Sequence, residues 1–105
     1  MTDRQRLTNR RASETFDIES QGLRFTATVS RFADGSIAEI FLQDHKAGSA
    51  AGIMASDAAI AASLSLQHGC PAEVLSKALC RDVRGNASGP LGALLDIISP
   101  RGLPK

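Results

Sequence analysis

Apolar and polar residues alternate along the first half of the chain with the two-residue period of strands that bury one face. Two tight turns separate these segments, Gln21-Gly22 and Asp34-Gly35. Asp-Gly supplies the positive φ that a hairpin turn needs. The pattern predicts an antiparallel meander of three strands, over residues 13–20, 24–32 and 37–43.

The stretch from Gly48 to Gly69 predicts a long helix at the centre of the fold. Ser49 is a favourable N-cap residue and Gly69 a favourable stop, with Ala and Leu abundant between them. At 100° per residue, one narrow stripe of this helix carries Ile53, Asp57, Ile60 and Leu64. Because the remaining circumference is mostly Ala and Ser, we expect a helix buried on most sides.

Two shorter helices are predicted after the central one. Pro71 suits the first turn of one helix, and Pro90 opens the other, which Pro100 ends. The predicted fold class is α+β, a three-stranded antiparallel sheet packed on a central buried helix plus two shorter helices. We expect a flexible basic arm over residues 1–12, a single domain over 13–99 and a C-terminal tail over 100–105.

Composition indicates where the protein is located and how its charge is distributed. The 105 residues are 43% apolar and 22% charged. Because the sequence has no apolar run long enough for a bilayer and no apolar signal core, it favours a cytoplasmic protein without membrane contact. The first eleven residues carry a net charge of +3, from Asp3 and the arginines Arg4, Arg6, Arg10 and Arg11. This arm is either a solvated tail, a nucleic-acid contact or a docking segment.

Asp57 is the most unusual residue of the predicted central helix, because it interrupts an apolar stripe. One interpretation is a ligand-facing carboxylate with a raised pKa. The other is a buried acceptor for backbone N–H groups or hydroxyls, or a partner of Arg24, Arg31 or Lys46. Both interpretations stay open at this point.

The cysteines and histidines give little support to redox or metal chemistry. Cys70 precedes a helix, where a thiol pKa can fall, but no base is assured beside it. About ten helical residues separate Cys70 from Cys80, roughly 15 Å, which is too far for a disulfide. His45 and His68 lack zinc-finger spacing relative to the cysteines. We expect free thiols, no metal and no cofactor.

A glycine-rich loop over residues 85–92 precedes the last helix. Free N–H groups in such a loop can hold a phosphate or carboxylate, and Gly89 is the candidate position. The loop lacks the Lys-Ser/Thr of a P-loop and does not follow a strand. An ordinary connector is the competing interpretation.

Four pieces of sequence, taken in order, resemble the TSCPD domain found near the C-terminus of adenosylcobalamin-dependent (class II) ribonucleotide reductases. They are Asp34-Gly35 with Ala38-Glu39-Ile40-Phe41-Leu42, then Lys46-Ala47-Gly48-Ser49, then Met54 with Asp57-Ala58, and then Ala62-Ser63-Leu64-Ser65-Leu66-Gln67-His68-Gly69-Cys70-Pro71. The resemblance covers residues 22–80. The name-giving motif is replaced here by Gly69-Cys70-Pro71-Ala72.

The reductase's radical chemistry belongs to a large barrel domain that 105 residues cannot hold, so the resemblance implies an accessory module. The N-terminal arm and the glycine-rich segment over residues 85–92 suggest a stand-alone variant. The resemblance implies no catalytic residue. It adds the carboxylate of Glu39 to the candidate ligand-binding residues, which are Asp57, Glu39, Lys46, Ser49 and Gly89.

Three functions follow as hypotheses. The first is a non-catalytic accessory or regulatory module related to ribonucleotide reductase that binds a partner protein, such as a reductase subunit, or a nucleotide-like ligand. The second is a small nucleic-acid-associated protein that uses the arginines of the arm. The third is an enzyme with Asp57, Glu39 and His45 in a cleft. We also expect a homodimer, formed through the face of Phe41 and Ile37 or through a free sheet edge.

Overall fold

The computed structural model describes residues 13–46 and 48–98, so the predicted arm and tail lie outside the described residues. Three antiparallel strands in the order β1-β2-β3 form one sheet, followed along the chain by three helices. The α+β class is confirmed. The elements are β1 (Ser13–Ser20), β2 (Leu23–Arg31), β3 (Ile37–Asp44), α1 (Ala50–Gln67), α2 (Ala72–Ala78) and α3 (Pro90–Ile98).

The two hairpin turns use the residues that the sequence predicts. Gln21 and Gly22 both have positive φ, 55° and 77°, as a two-residue type I′ turn requires. In the second turn Gly35 has φ 91°. The Asp34 carboxylate there accepts hydrogen bonds from the Ser36 N–H and hydroxyl, which fixes the local chain.

The inner face of the sheet forms one side of the core. Phe25, Ala27 and Val29 of β2 are fully buried on this face, and Leu94 and Leu95 of α3 belong to the same cluster. A register shift beside Ser30 and Arg31 interrupts the pairing of β2 with β3. Near this irregularity buried and exposed residues do not simply alternate, and two consecutive residues of β3, Ile37 and Ala38, are both buried.

The ends of α1 match the predicted signals. The Ser49 hydroxyl accepts a hydrogen bond from the Gly52 N–H at 3.0 Å, as an N-cap does. At the other end Gly69 has φ 103°. The N–H groups of Gly69 and Cys70 donate to the carbonyls of Leu66 and Ser65, the hydrogen-bond pattern of a Schellman motif.

The burial of α1 differs from the expectation of a helix buried on most sides. Its buried residues are largely the small and polar ones, Gly52, Ala55, Ala59, Ala62, Ser63, Leu66 and Gln67. The stripe of Ile53, Ile60 and Leu64 is exposed instead. The physical reason is that small side chains let the helix backbone approach the sheet closely, whereas a stripe of large ones would hold it away.

Polar side chains of the buried side of α1 bind the outer backbone of β3. The Ser63 hydroxyl accepts from the Ile40 N–H at 2.8 Å and lies 3.1 Å from the Ile40 carbonyl oxygen. Ser56 donates to the Leu42 carbonyl at 3.0 Å. Gln67 donates to the Ala38 carbonyl at 2.9 Å. Helix α1 thus satisfies backbone groups that a fourth strand would otherwise pair.

The Arg81 guanidinium fastens the two short helices together. It donates to both carboxylate oxygens of Asp96 in α3, at 2.7 and 2.8 Å. It also donates to the carbonyl and hydroxyl oxygens of Ser76, a fully buried residue of α2. Such a two-pronged ion pair fixes orientation as well as distance.

Candidate functional site

The exposed side of α1 carries an apolar surface, which we call the α1 apolar surface and define as Ile53, Met54, Ile60 and Leu64. The exposed fractions are 58%, 71%, 54% and 41% in that order. Asp57 is the helix's single charged residue. Large apolar side chains grouped on one exposed helix face are typical of a surface that contacts another molecule.

An apolar groove of about 400 Å³ adjoins this surface. Met54 of α1, Leu23 and Phe25 of β2 and Leu91 of α3 line it. Gly89, the predicted anion-binding residue, also lines this groove. Because apolar side chains dominate its walls, the groove is better suited to an apolar side chain of a partner than to a phosphate.

Asp57 is exposed, so the interpretation of this carboxylate as a buried hydrogen-bond acceptor is wrong. The residue lies on the outer side of α1 because the adjacent stripe, with Ser56 and Ala59, turns toward the protein. A contact between Asp57 and a ligand stays a prediction. The position would let its carboxylate meet a cation on a molecule that covers the α1 apolar surface.

Ser49 and Lys46 belong to the turn that leads into α1. The Ser49 hydroxyl donates to the Asp44 carboxylate, and the Lys46 N–H donates to the same carboxylate at 3.0 Å. These hydrogen bonds, the one from Ser49 foremost, hold the pKa of Asp44 below its ordinary value. The Ser49 hydroxyl therefore already donates one hydrogen bond, to Asp44, and accepts another, from the Gly52 N–H.

The loop before α3 is organised by a carboxylate of its own chain. Asp82 accepts hydrogen bonds from the N–H groups of Arg84 and Asn86, both at 2.9 Å. The bond from Asn86 is the main cause that lowers the pKa of Asp82. The Ser88 N–H donates to the Cys80 carbonyl. An incoming phosphate would have to compete with these contacts for the loop's donors.

Neither carboxylate of the enzyme hypothesis lines the cavity beside His45. His45 lines a small cavity of about 210 Å³ beside Asp17 and Arg24, and its Nε2 lies 2.9 Å from the Thr26 hydroxyl. Glu39 belongs to β3 and Asp57 to α1, and neither lines this cavity. The cavity beside His45 is lined by none of the five candidate ligand-binding residues, and the groove beside Met54 is lined by one of them, Gly89.

The thiols are free, as predicted from their separation. Cys70 lines a second groove, of about 470 Å³, together with Arg31 and Glu73. The Arg31 guanidinium already donates one hydrogen bond there, to the Gly35 carbonyl at 2.9 Å. In the described ranges, no three His, Cys, Asp or Glu side chains lie close enough together to hold a metal ion.

The surfaces proposed for a homodimer need one correction. Phe41 is 54% exposed, but Ile37 is buried, so the two residues do not form a common exposed face. The register shift between β2 and β3 accounts for the buried position of Ile37. The β3 edge is covered by α1. Dimerisation itself stays a prediction.

The α1 apolar surface and its groove are the features that hydrophobic periodicity missed. A signal was present in the neighbouring stripe, where Gly52, Ser56, Ala59 and Ser63 repeat at helical spacing. Small residues with hydroxyls at this spacing favour close approach to a backbone that needs hydrogen-bond partners. That stripe therefore predicts the opposite orientation of α1, with these small residues facing the sheet and the large apolar residues facing solvent.

Comparison with known proteins decides the family. The family model of the TSCPD domain matches residues 3–100, nearly the whole chain. The chain belongs to the TSCPD domain family. A relative is the vitamin B12-dependent ribonucleotide reductase of Agrobacterium fabrum, which is 41% identical over 71 residues.

This match covers 68% of the TSCPD chain and 6% of the reductase, so the chain corresponds to a small part of its relative. No solved structure matches the chain. Among the described residues, no helix combines the length and apolar character needed to cross a membrane.

Proposed function

We propose that this TSCPD chain is a non-catalytic accessory or regulatory module related to ribonucleotide reductase, and that it binds a protein partner through the α1 apolar surface. The observation that carries the proposal is the exposure of Ile53, Met54, Ile60 and Leu64 on one helix. Burying such side chains against a partner is favourable by roughly 25 cal/mol per Å² of apolar surface.

The surroundings favour a protein over a nucleotide-like ligand. A nucleotide requires donors and cations for its phosphates, but Ser49 is occupied by Asp44 and the loop before α3 by Asp82. The groove beside Met54 is lined mainly by apolar groups. An apolar anchor residue of a partner fits this groove, with Asp57 available for a basic residue beside it.

The relative suggests which partner to test. The Agrobacterium fabrum protein is named a vitamin B12-dependent ribonucleotide reductase, and 6% of its length aligns with this chain. In that protein the related segment is joined to a much longer chain. A reductase of this kind is therefore the first protein partner to test.

The experiment is a titration of the purified chain against the vitamin B12-dependent ribonucleotide reductase of its source organism. Ile60→Lys should weaken binding by about tenfold or more, since a charge would be buried in the contact. Ile97→Lys is the matched control, because Ile97 of α3 is 53% exposed and Ile60 is 54% exposed. Circular dichroism would establish that both variants remain folded.

Two results would overturn the proposal. One is equal loss of binding in both variants, which would mean that the α1 apolar surface is not specific. The other is absence of binding to the reductase together with a rise in melting temperature on addition of nucleotides, which would favour the ligand hypothesis. Salt-sensitive nucleic-acid binding that disappears when residues 1–11 are deleted would support the alternative function instead.

A further inference from the structure

The outer backbone groups of β1 have no strand partner among the described residues. Within residues 13–46 and 48–98, β1 pairs only with β2. The Arg24 carbonyl accepts from the His45 N–H, which shows that the even-numbered residues of β2 direct their backbone toward β3. The odd-numbered ones therefore bind β1, at Glu14, Phe16 and Ile18.

It follows that the alternate residues of β1, with Thr15, Asp17 and Glu19 among them, direct their N–H and carbonyl groups away from the sheet. We call this row the β1 edge. All three residues are exposed. A row of this kind is a template on which an extended segment can add as a further strand. The β3 edge offers no such template, because Ser56, Ser63 and Gln67 of α1 bind it.

The charge of β1 indicates what kind of segment would add. The strand Ser13–Ser20 holds three acidic residues and no basic one. The side chain of Asp17 is 83% exposed, and that of Glu14, which lies 3.5 Å from Arg31, is 59% exposed. Glu19 is paired in register with Arg24. A basic segment would therefore be attracted to the β1 edge, and an acidic one repelled.

The chain carries a segment of this chemistry. Residues 1–12 contain four arginines and one acidic residue. Twelve residues can extend over about 40 Å, and the eight residues of β1 span about 27 Å, so the segment is long enough to cover the edge. The family match begins at residue 3, which includes most of this segment.

We propose that the β1 edge binds residues 1–12 of a second copy of this chain, in extended conformation, so that two molecules exchange these segments. The second copy is favoured over the chain's own segment by the residues that adjoin Ser13. A return onto the chain's own β1 would have to turn within residues 9–12, which would take Arg10 and Arg11 into the turn, whereas the segment of a second copy can place all four arginines along the acidic strand. This proposal uses a surface distinct from the α1 apolar surface and is independent of the reductase partner.

The first test is the oligomeric state of the full chain and of a chain lacking residues 1–11, measured by analytical ultracentrifugation at rising concentration. The full chain should dimerise, and the shortened chain should remain a monomer. A dimer that persists after the deletion would overturn the proposal. A monomeric full chain would overturn it as well, and protection of the Asp17 N–H in that monomer would assign the edge to the chain's own segment.

The second test uses a fluorescent peptide with the sequence of residues 1–12 and the shortened chain. Binding should weaken by about tenfold or more when the four arginines are replaced by glutamine. Methylation of alternate backbone nitrogens should weaken it similarly, because the added strand would lose its hydrogen bonds. Equal binding of the methylated peptide would exclude strand addition.

A charge swap provides the specificity control. Asp17→Arg in the shortened chain should weaken binding of the arginine peptide and strengthen binding of a peptide with glutamate in place of each arginine. Asp17 is exposed, so the variant should fold, and circular dichroism would check this. If the swapped pair bound no better than the mismatched pairs, the charge argument would fail.

Discussion

The two edges of the three-stranded sheet, β1 and β3, differ in what satisfies their backbone groups. At β3, α1 supplies hydrogen-bond partners from Ser56, Ser63 and Gln67. At β1, no described residue supplies any. An α-helix can therefore close a sheet edge if its polar side chains have the same spacing as the exposed backbone groups. The residues beside those polar side chains must be small, so that the helix can approach the strand closely.

The largest expected difference between the edges is in amide exchange. In the chain lacking residues 1–11, the Ile40 N–H should exchange more slowly than the Asp17 N–H by about a thousandfold or more. Ile40 is hydrogen-bonded to a buried hydroxyl, whereas the Asp17 N–H points away from the sheet. Exchange measured residue by residue by NMR checks this. Similar exchange rates at the two positions would contradict the difference between the two edges.

Ser63→Ala should give the next largest effect, because it leaves the buried Ile40 N–H without its partner. We expect the free energy of unfolding to fall by about 1–3 kcal/mol, measured by urea denaturation. Ser65→Ala is the control on the same helix. Its hydroxyl donates only to the Ala61 carbonyl, so the change should stay within about 0.5 kcal/mol. Equal losses would mean that the bond to β3 is unimportant.

Gly52→Ala tests how closely α1 approaches the end of β3. An added Cβ would lie 2.8 Å from the Asp44 Cβ and 3.1 Å from the Ser49 hydroxyl oxygen. Overpacking of this kind costs about 1–3 kcal/mol, and the helix propensity of Ala offsets about 1 kcal/mol. We expect a net loss of stability up to about 2 kcal/mol. Gly89→Ala, where a Cβ would meet no atom within 4 Å, should change little.

The smallest effect is expected from acid at the junction of β3 and α1. The lowered pKa of Asp44 means that its contribution to stability is present above the unfolded-state value, near 3.8, and is lost as the pH falls through the lower folded-state value. Asp44→Asn should therefore make the free energy of unfolding less dependent on pH below about pH 5. Denaturation curves at several pH values check this. A variant as acid-sensitive as the parent would contradict it.

Much of the fold follows from local signals in the sequence. Alternation in β2, the Asp34-Gly35 turn, the Ser49 cap and the Gly69 stop each have a physical cause that acts within a few residues. Pro90 begins α3 as predicted. These signals do not depend on which other element lies nearby, and for that reason the sequence alone is sufficient to place them.

The orientation of α1 could not be predicted in the same way. Hydrophobic periodicity favours burial of Ile53 and Ile60, but the helix turns Ser56 and Ser63 inward. That choice depends on the backbone of β3, a non-local partner whose unpaired groups are costly to bury. The candidate residues are dispersed for the same reason, since the structure places Asp57 on α1, Glu39 on β3 and Gly89 in the loop before α3.

The covered β3 edge has a consequence for assembly. Strand pairing can propagate into long fibres only if each unit that joins leaves a fresh template behind it. At the β3 side, α1 already occupies backbone groups that a further strand would need. Extended aggregation through that side of the sheet would therefore require α1 to leave β3 first.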